Sequence, residues 1–287
     1  SAASDVYKRQ TYYGQLAHMK IKPDETFSLD ETMKANDKYK KEFKDKKLYK
    51  LVYLLYEIER DKYTKHILRH LALDNIDQGS EVLAAELATE ISRYDFAIQI
   101  SKLASYEKRF HNQYNYPVIS TPTMVGGRKI PNPALILAVI RQESEFDSKA
   151  NSYAGARGMM QLMTYTAKIV AKQAKLPYSK SRLTSDPEYN INLGSHYLAG
   201  LILEYDGAYP FAIAGYNAGP KRVRYWKKIN KDPQKDQIDY VDWIELIKFK
   251  ETRNYVQRVL ENYNVYRYVL EQKPIKMKDF FANYPLY

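Results

Sequence analysis

The chain of 287 residues carries 45 Lys and Arg against 34 Asp and Glu, a formal net charge of +11, with 45% hydrophobic residues, 28 tyrosines and no cysteine. That apolar share can bury a core, which excludes a disordered or collagen-like chain. The missing cysteine excludes disulfide scaffolds, zinc fingers, iron–sulfur centres and thiol catalysis.

Residues 1–45 read as polar and irregular, and the opening Ser1–Gln10 lacks the apolar core of a signal peptide. From Leu48 to about Arg109 apolar residues recur at three- and four-residue spacing, through Leu51, Leu54, Leu55 and Ile58, then Ile67, Leu68 and Leu71. After the Asp77–Ser80 break the pattern resumes with Val82, Leu83, Leu87 and Ile91, and later Phe96, Ile100 and Leu103. Helices joined by short polar breaks predict antiparallel hairpins, as in a superhelix or solenoid. The pattern stops around His111–Thr123, which sets the expected boundary between a helical domain, 1–116, and a second domain, 117–287.

The second part is better punctuated. Pro131 and Pro133 precede an apolar helix from Ala134 to about Phe146, and a small-residue loop follows to Gly158. A helix is expected from about Met160 to Lys175. Asp186-Pro187 is a strong helix start, with Asp as cap and Pro in the first turn, and Gly207 ends that helix. Pro210–Ala214 reads as helix, Gly215–Pro220 as a turn, and two last helices fall at about Asp239–Ile247 and Thr252–Glu271. No pair of strands stands out, so the class is mainly α. The longest clean apolar run, Ala134–Ile140, is far short of the roughly 20 residues that span a bilayer.

Charge is unevenly spread. Residues 1–120 hold 20 Lys and Arg and 18 Asp and Glu, and residues 121–287 hold 25 and 16. The densest cluster is Lys221, Arg222, Arg224, Lys227 and Lys228. It suits a polyanionic partner (nucleic acid, an anionic membrane surface or an acidic wall polymer) or simply a solvated helix face.

Ile136, Ile140 and Glu143 are spaced to share one helix face. A carboxyl that continues an apolar stripe is poorly hydrated, which raises its pKa toward what a general acid needs near neutrality. A Glu merely paired with a basic neighbour is the plainer alternative. The following stretch, Arg141–Met163, contains Glu143-Ser144, Ser152 and Gly158-Met-Met-Gln161-Leu-Met163. It resembles the signature of the soluble lytic transglycosylases (SLT), whose catalytic domain is goose-type-lysozyme-like. Gly215-Tyr216-Asn217-Ala218-Gly219 is similar to that family's A-Y-N-A-G block, and Glu251-Thr-Arg-Asn-Tyr255-Val to its E-T-R-x-Y-V block. Met159, Gly215 and Asn254 depart from the usual Leu, Ala and Gly.

The resemblance implies a lysozyme-like, predominantly helical catalytic domain preceded by a helical superhelix. It implies an enzyme acting on peptidoglycan glycan strands, with Glu143 as the single acid/base and 1,6-anhydromuramoyl products. Ser152, Gln161, Met163, Tyr216, Asn217 and, on a looser match, Glu245 would bind substrate. Tyr255, Asn262 and Tyr266 share a helix face that would bound the groove. Ordinary glycosidases use two carboxylates, yet Glu145 lies about 200° around the helix from Glu143. Asp147, at the helix end, reads as local turn polarity. No cofactor and no metal are expected, since His66 and His70 lack both the zincin Glu and a third ligand. Gly126-Gly127 precedes no phosphate-binding signature, and no nucleic-acid motif is present. A goose-type-lysozyme-like muramidase and a non-catalytic wall-binding module are the alternatives. The expected location is the periplasm or cell envelope, with any leader outside this sequence. A protein partner for the N-terminal helices stays open.

Overall fold

The computed structural model describes residues 11–22, 29 and 32–271. Its helices are α1 (Tyr12–Ile21), α2 (Asp37–Asp45), α3 (Lys47–Glu57), α4 (Asp61–Ala72), α5 (Ser80–Glu90), α6 (Tyr94–Tyr106) and the single turn α7 (Asn112–Asn115). They continue with α8 (Pro133–Ser144), α9 (Thr164–Gln173), α10 (Arg182–Ser185), α11 (Pro187–Glu204), α12 (Tyr209–Ala218), α13 (Pro220–Ile229), α14 (Tyr240–Glu245) and α15 (Lys250–Glu271). Two antiparallel ribbons, β1 (Met124–Val125) with β2 (Arg128–Lys129) and β3 (Ala156–Arg157) with β4 (Leu162–Met163), complete a mainly α chain.

Three departures from the sequence reading have local causes. Helices α1 and α2 form inside a stretch that reads as irregular, because Thr11 caps the first and Asn36 the second, accepting from Lys38 and Tyr39. Tyr39 and Phe43, four apart, then bury one face of α2. Residues 215–218 continue α12 instead of turning, and Gly219 at φ +85° starts α13 at Pro220. The β3–β4 ribbon occupies the expected start of the helix at Met160. Two-residue strands are too short to show a period in sequence. Ser1–Gln10 lies outside the described residues.

Packing divides the described chain into two units, and not at the expected 116/117 boundary. The smaller takes residues 29 and 32–118 together with Glu145–Asp147; the larger takes α1, residues 119–144 and residues 148–271. In the smaller unit, α2 to α7 enclose a core that includes Phe43, Val52, Leu68, Leu71, Leu87 and Ile100. Glu81 is buried there between Arg109 and His111. Burial opposes its ionisation, but these two hydrogen-bonding partners win and hold its carboxyl down at about 2. Glu145 pairs with Lys102 at 2.6 Å in this unit.

The larger unit is built around α8. Asn132 caps it by accepting from the Ala134 N–H at 2.8 Å, and Pro133 opens it. Every residue from Ala134 to Ile140 is fully buried. A helix apolar on all sides has to be central, and burial of each large side chain contributes roughly 1.5–3 kcal/mol. The long α15 packs along it, burying Val256, Val259 and Leu260. Asp186 caps α11 as expected, accepting from the Tyr189 N–H at 3.0 Å. Helix α1 docks on α15: the Tyr12 N–H donates to Glu261 at 2.8 Å, and Asn264 donates to the Gln15 side chain at 3.1 Å. No described helix is long and apolar enough to cross a membrane.

Candidate active site

Glu143 sits in the last turn of α8. The helix stops immediately after it, because Glu145 (φ +51°) and Phe146 (φ +69°) are both left-handed. Such a conformation is uncommon for residues other than glycine and is held only by its surroundings. The carboxyl is therefore presented at the abrupt end of a helix whose preceding turns are fully buried. Its Oε1 accepts a 2.6 Å hydrogen bond from the Tyr255 hydroxyl, and no other hydrogen bond or ion pair reaches it among the described residues. Burial raises its pKa from 4.5 to about 7, the Tyr255 bond opposes the rise, and the negative charge of Glu251 adds to it. A carboxyl in that range is protonated often enough to donate and ionised often enough to accept.

Two phenols accompany it. Burial first, then the charge of Glu143, push the Tyr255 and Tyr216 hydroxyls well above the ordinary tyrosine range, so both stay donors. Tyr216 packs against Tyr197 with ring centres 5.3 Å apart and donates to the Met160 carbonyl at 2.8 Å. That carbonyl belongs to the turn between β3 and β4, which side chains hold at successive points. Asn190 donates to the Arg157 carbonyl (2.9 Å) and accepts from the Met160 N–H (2.8 Å). Gln161 donates to the Gly158 carbonyl (2.8 Å), and Ser144, next to Glu143, donates to the Met159 carbonyl (2.8 Å). Gly158 is obligatory there: at φ +73°, a Cβ would lie 2.0 Å from the Leu183 carbonyl oxygen. The turn is thereby tied to α8, α11 and α12 at once.

The predicted residues separate into three groups. Glu143, Tyr216 and Tyr255 come together. Asn217, Gln161 and Ser152 serve backbone or helix geometry in this structure. Asn217 accepts from Thr252 at 2.7 Å and joins the end of α12 to the start of α15. Gln161, left-handed at φ +45°, turns its amide back onto its own loop. Exposed Ser152 accepts from the Ala156 N–H at 2.9 Å. Met163 is 45% exposed at the start of α9 and is free to touch a ligand.

One expectation needs correction. Tyr266 has no exposed surface, so it is core and cannot line a groove. Asn262, on the same helix face, is buried as well. Glu245 accepts from Tyr13 at 2.5 Å and Gln257 at 2.7 Å, an anchor for α1 with no contact to Glu143 among the described residues. Sequence reasoning missed Ser144, Asn190 and Thr252. Asn190 had a signal, being a polar residue on the otherwise small or apolar stripe with Gly194 and Leu201. Among the described residues no cluster of His, Asp or Glu could hold a metal ion.

The larger unit is thus a mainly helical, lysozyme-like domain with one half-buried acid near the end of its central helix, beside two phenols. Residues 125–238 match the transglycosylase SLT domain model. The soluble lytic murein transglycosylase of Escherichia coli K12 is 40% identical over 152 residues, covering 53% of this chain and 23% of the relative. A Haemophilus influenzae protein provisionally named as a soluble lytic murein transglycosylase is 29% identical over 270 residues, covering 93% of this chain and 44% of its own. The crystal structure of the 70 kDa soluble lytic transglycosylase of Escherichia coli superposes with a TM-score of 0.78 at 27% identity, covering 98% of this chain and 44% of that one. The chain thus spans less than half the length of these relatives.

Proposed function

We propose that this chain is a peptidoglycan lytic transglycosylase with Glu143 as its single acid/base. Glu143 donates its proton to the glycosidic oxygen as the β-1,4 bond between N-acetylmuramic acid and N-acetylglucosamine breaks. The resulting carboxylate takes the proton of the muramic acid C6 hydroxyl while that oxygen bonds to C1. The product is a 1,6-anhydro ring, no water is consumed, and the carboxyl is restored. The observation that carries the reading is the Glu143 carboxyl: half-buried, without a cation, titrating at about 7 and held by Tyr255. A group that gives and then takes one proton works best near the ambient pH. Tyr216 and Met163 are the side chains best placed to meet sugar, with Asn217, Gln161 and Ser152 holding the walls. The relatives' names support the same substrate.

Digestion of purified sacculi followed by mass spectrometry tests this. Anhydromuropeptides, one water lighter than hydrolysis products, are expected. Reducing ends would favour a muramidase. One observation favours that second reading, since Glu251 is exposed and its charge reaches Glu143. A hydrolase would use such a carboxylate to activate water. Glu251→Gln should then abolish activity, whereas the transglycosylase keeps it. A chain that binds sacculi and releases nothing would be a wall-binding module. Action on peptidoglycan implies a periplasmic or envelope location. Leu54, Ile58, Tyr63 and Leu73, all exposed on the smaller unit, support a protein partner there, which cross-linking through residues placed at these positions would test.

A further inference from the structure

The basic cluster of the sequence lies on α13 and has no part in the site. Val223 and Trp226 bury one side of this helix. Lys221, Arg222, Tyr225, Lys228 and Ile229 recur at three- and four-residue spacing on the other and are exposed. The face continues onto the segment before α15. Phe249 packs its ring 5.4 Å from Trp226, the Arg222 guanidinium lies 4.8 Å over the same ring, and Asn230 donates to the Leu246 carbonyl at 2.8 Å.

Residues 219–231 contain six cations and no acid, and residues 246–250 two more and no acid. Arg224 and Lys227 are used by Glu204 and Asp232. Lys221, Arg222, Lys228, Lys231, Lys248 and Lys250 form no ion pair among the described residues. Four large apolar side chains stand among them: Tyr225 (52% exposed), Leu246 (48%), Phe249 (43%) and Ile229 (41%). A soluble polyanion would use the cations and leave isoleucine, leucine and phenylalanine in water. A bilayer surface satisfies both sets, with ammonium groups at phosphates and apolar tips in the interface.

We propose that this face docks the larger unit onto an anionic phospholipid bilayer. The contact is peripheral, since α13 has 10 residues and part of its surface is core. The test is sedimentation of the full chain with vesicles of phosphatidylglycerol and phosphatidylcholine, mixed one to two, against phosphatidylcholine alone. Binding is expected only to the first and should weaken steeply with salt. Lys221→Glu with Lys228→Glu should lower partitioning by about 30-fold or more, each lost cation being worth roughly fivefold. Tyr225→Ser with Ile229→Ser leaves the charge intact and should cost roughly five- to tenfold. Melting curves of both variants should match the parent, and Lys248→Glu gives an independent charge test on another segment. Equal binding to both vesicles, or to neither, overturns the proposal. So does an apolar variant that partitions like the parent, which would reassign the face to a soluble polyanion.

Discussion

Replacing Glu143 by Gln exchanges a group that ionises inside the protein for a near-isosteric one that never does. In the folded chain the carboxyl titrates at about 7, against an ordinary 4.5. The folded state therefore holds this proton more tightly than the unfolded state. The stabilisation is complete below about 4.5, is lost as pH rises, and is gone once the pH passes the folded value. At roughly 1.36 kcal/mol per pH unit the interval amounts to about 3 kcal/mol. The carboxylate is thus a burden that the neutral variant escapes. Glu143→Gln should gain only about 1 kcal/mol at pH ~5 and about 3 kcal/mol at pH ~8, while lytic activity disappears. Urea unfolding of both proteins at the two pH values measures this directly. A stability difference independent of pH, or a variant weaker than the parent at pH ~8, would refute the claim that burial sets this pKa.

Tyr255→Phe removes the hydrogen bond that favours the ionised carboxyl. The alkaline limb of the pH–rate profile should move upward and kcat should fall roughly ten- to a hundredfold, the worth of a bond to a charged group; an unmoved limb would separate Tyr255 from Glu143. Asn190→Ala leaves the Met160 N–H and the Arg157 and Leu183 carbonyls without their buried partner. A loss of about 3 kcal/mol or more is expected in chemical denaturation, and under about 1 kcal/mol would mean the turn is held elsewhere. Gly158→Ala meets both a left-handed backbone and the Leu183 carbonyl. Its melting temperature should fall by more than that of Gly127→Ala, where a Cβ meets nothing within 4 Å.

Much of the site was legible because some of its chemistry is local. Glu143 follows Ile136 and Ile140 at helical spacing, so the pattern alone places a carboxyl on a buried face. Asp186-Pro187 announces the start of α11 by the groups it uses to satisfy free N–H donors, and the structure keeps that cap. The helical class follows from apolar period in the same way. What stayed hidden involves short elements or distant partners: the β3–β4 ribbon, the capped α1, and the Ser144 and Asn190 ties to backbone carbonyls.

Periodicity in sequence says that a residue lies on the inward face of its helix, but not which neighbour it meets there. Tyr255 and Tyr266 share a stripe on α15, and the sequence treats them alike. Packing of α15 along α8 brings the first, 112 residues away in sequence, to 2.6 Å from the Glu143 carboxyl, and seals the second completely. The same holds for Glu245, whose partners come from α1 and α15. The amino-acid order by itself determined a helical chain with one acid on an apolar face. Only tertiary packing decided its protonation, because pKa depends on the burial and donors that distant helices bring together.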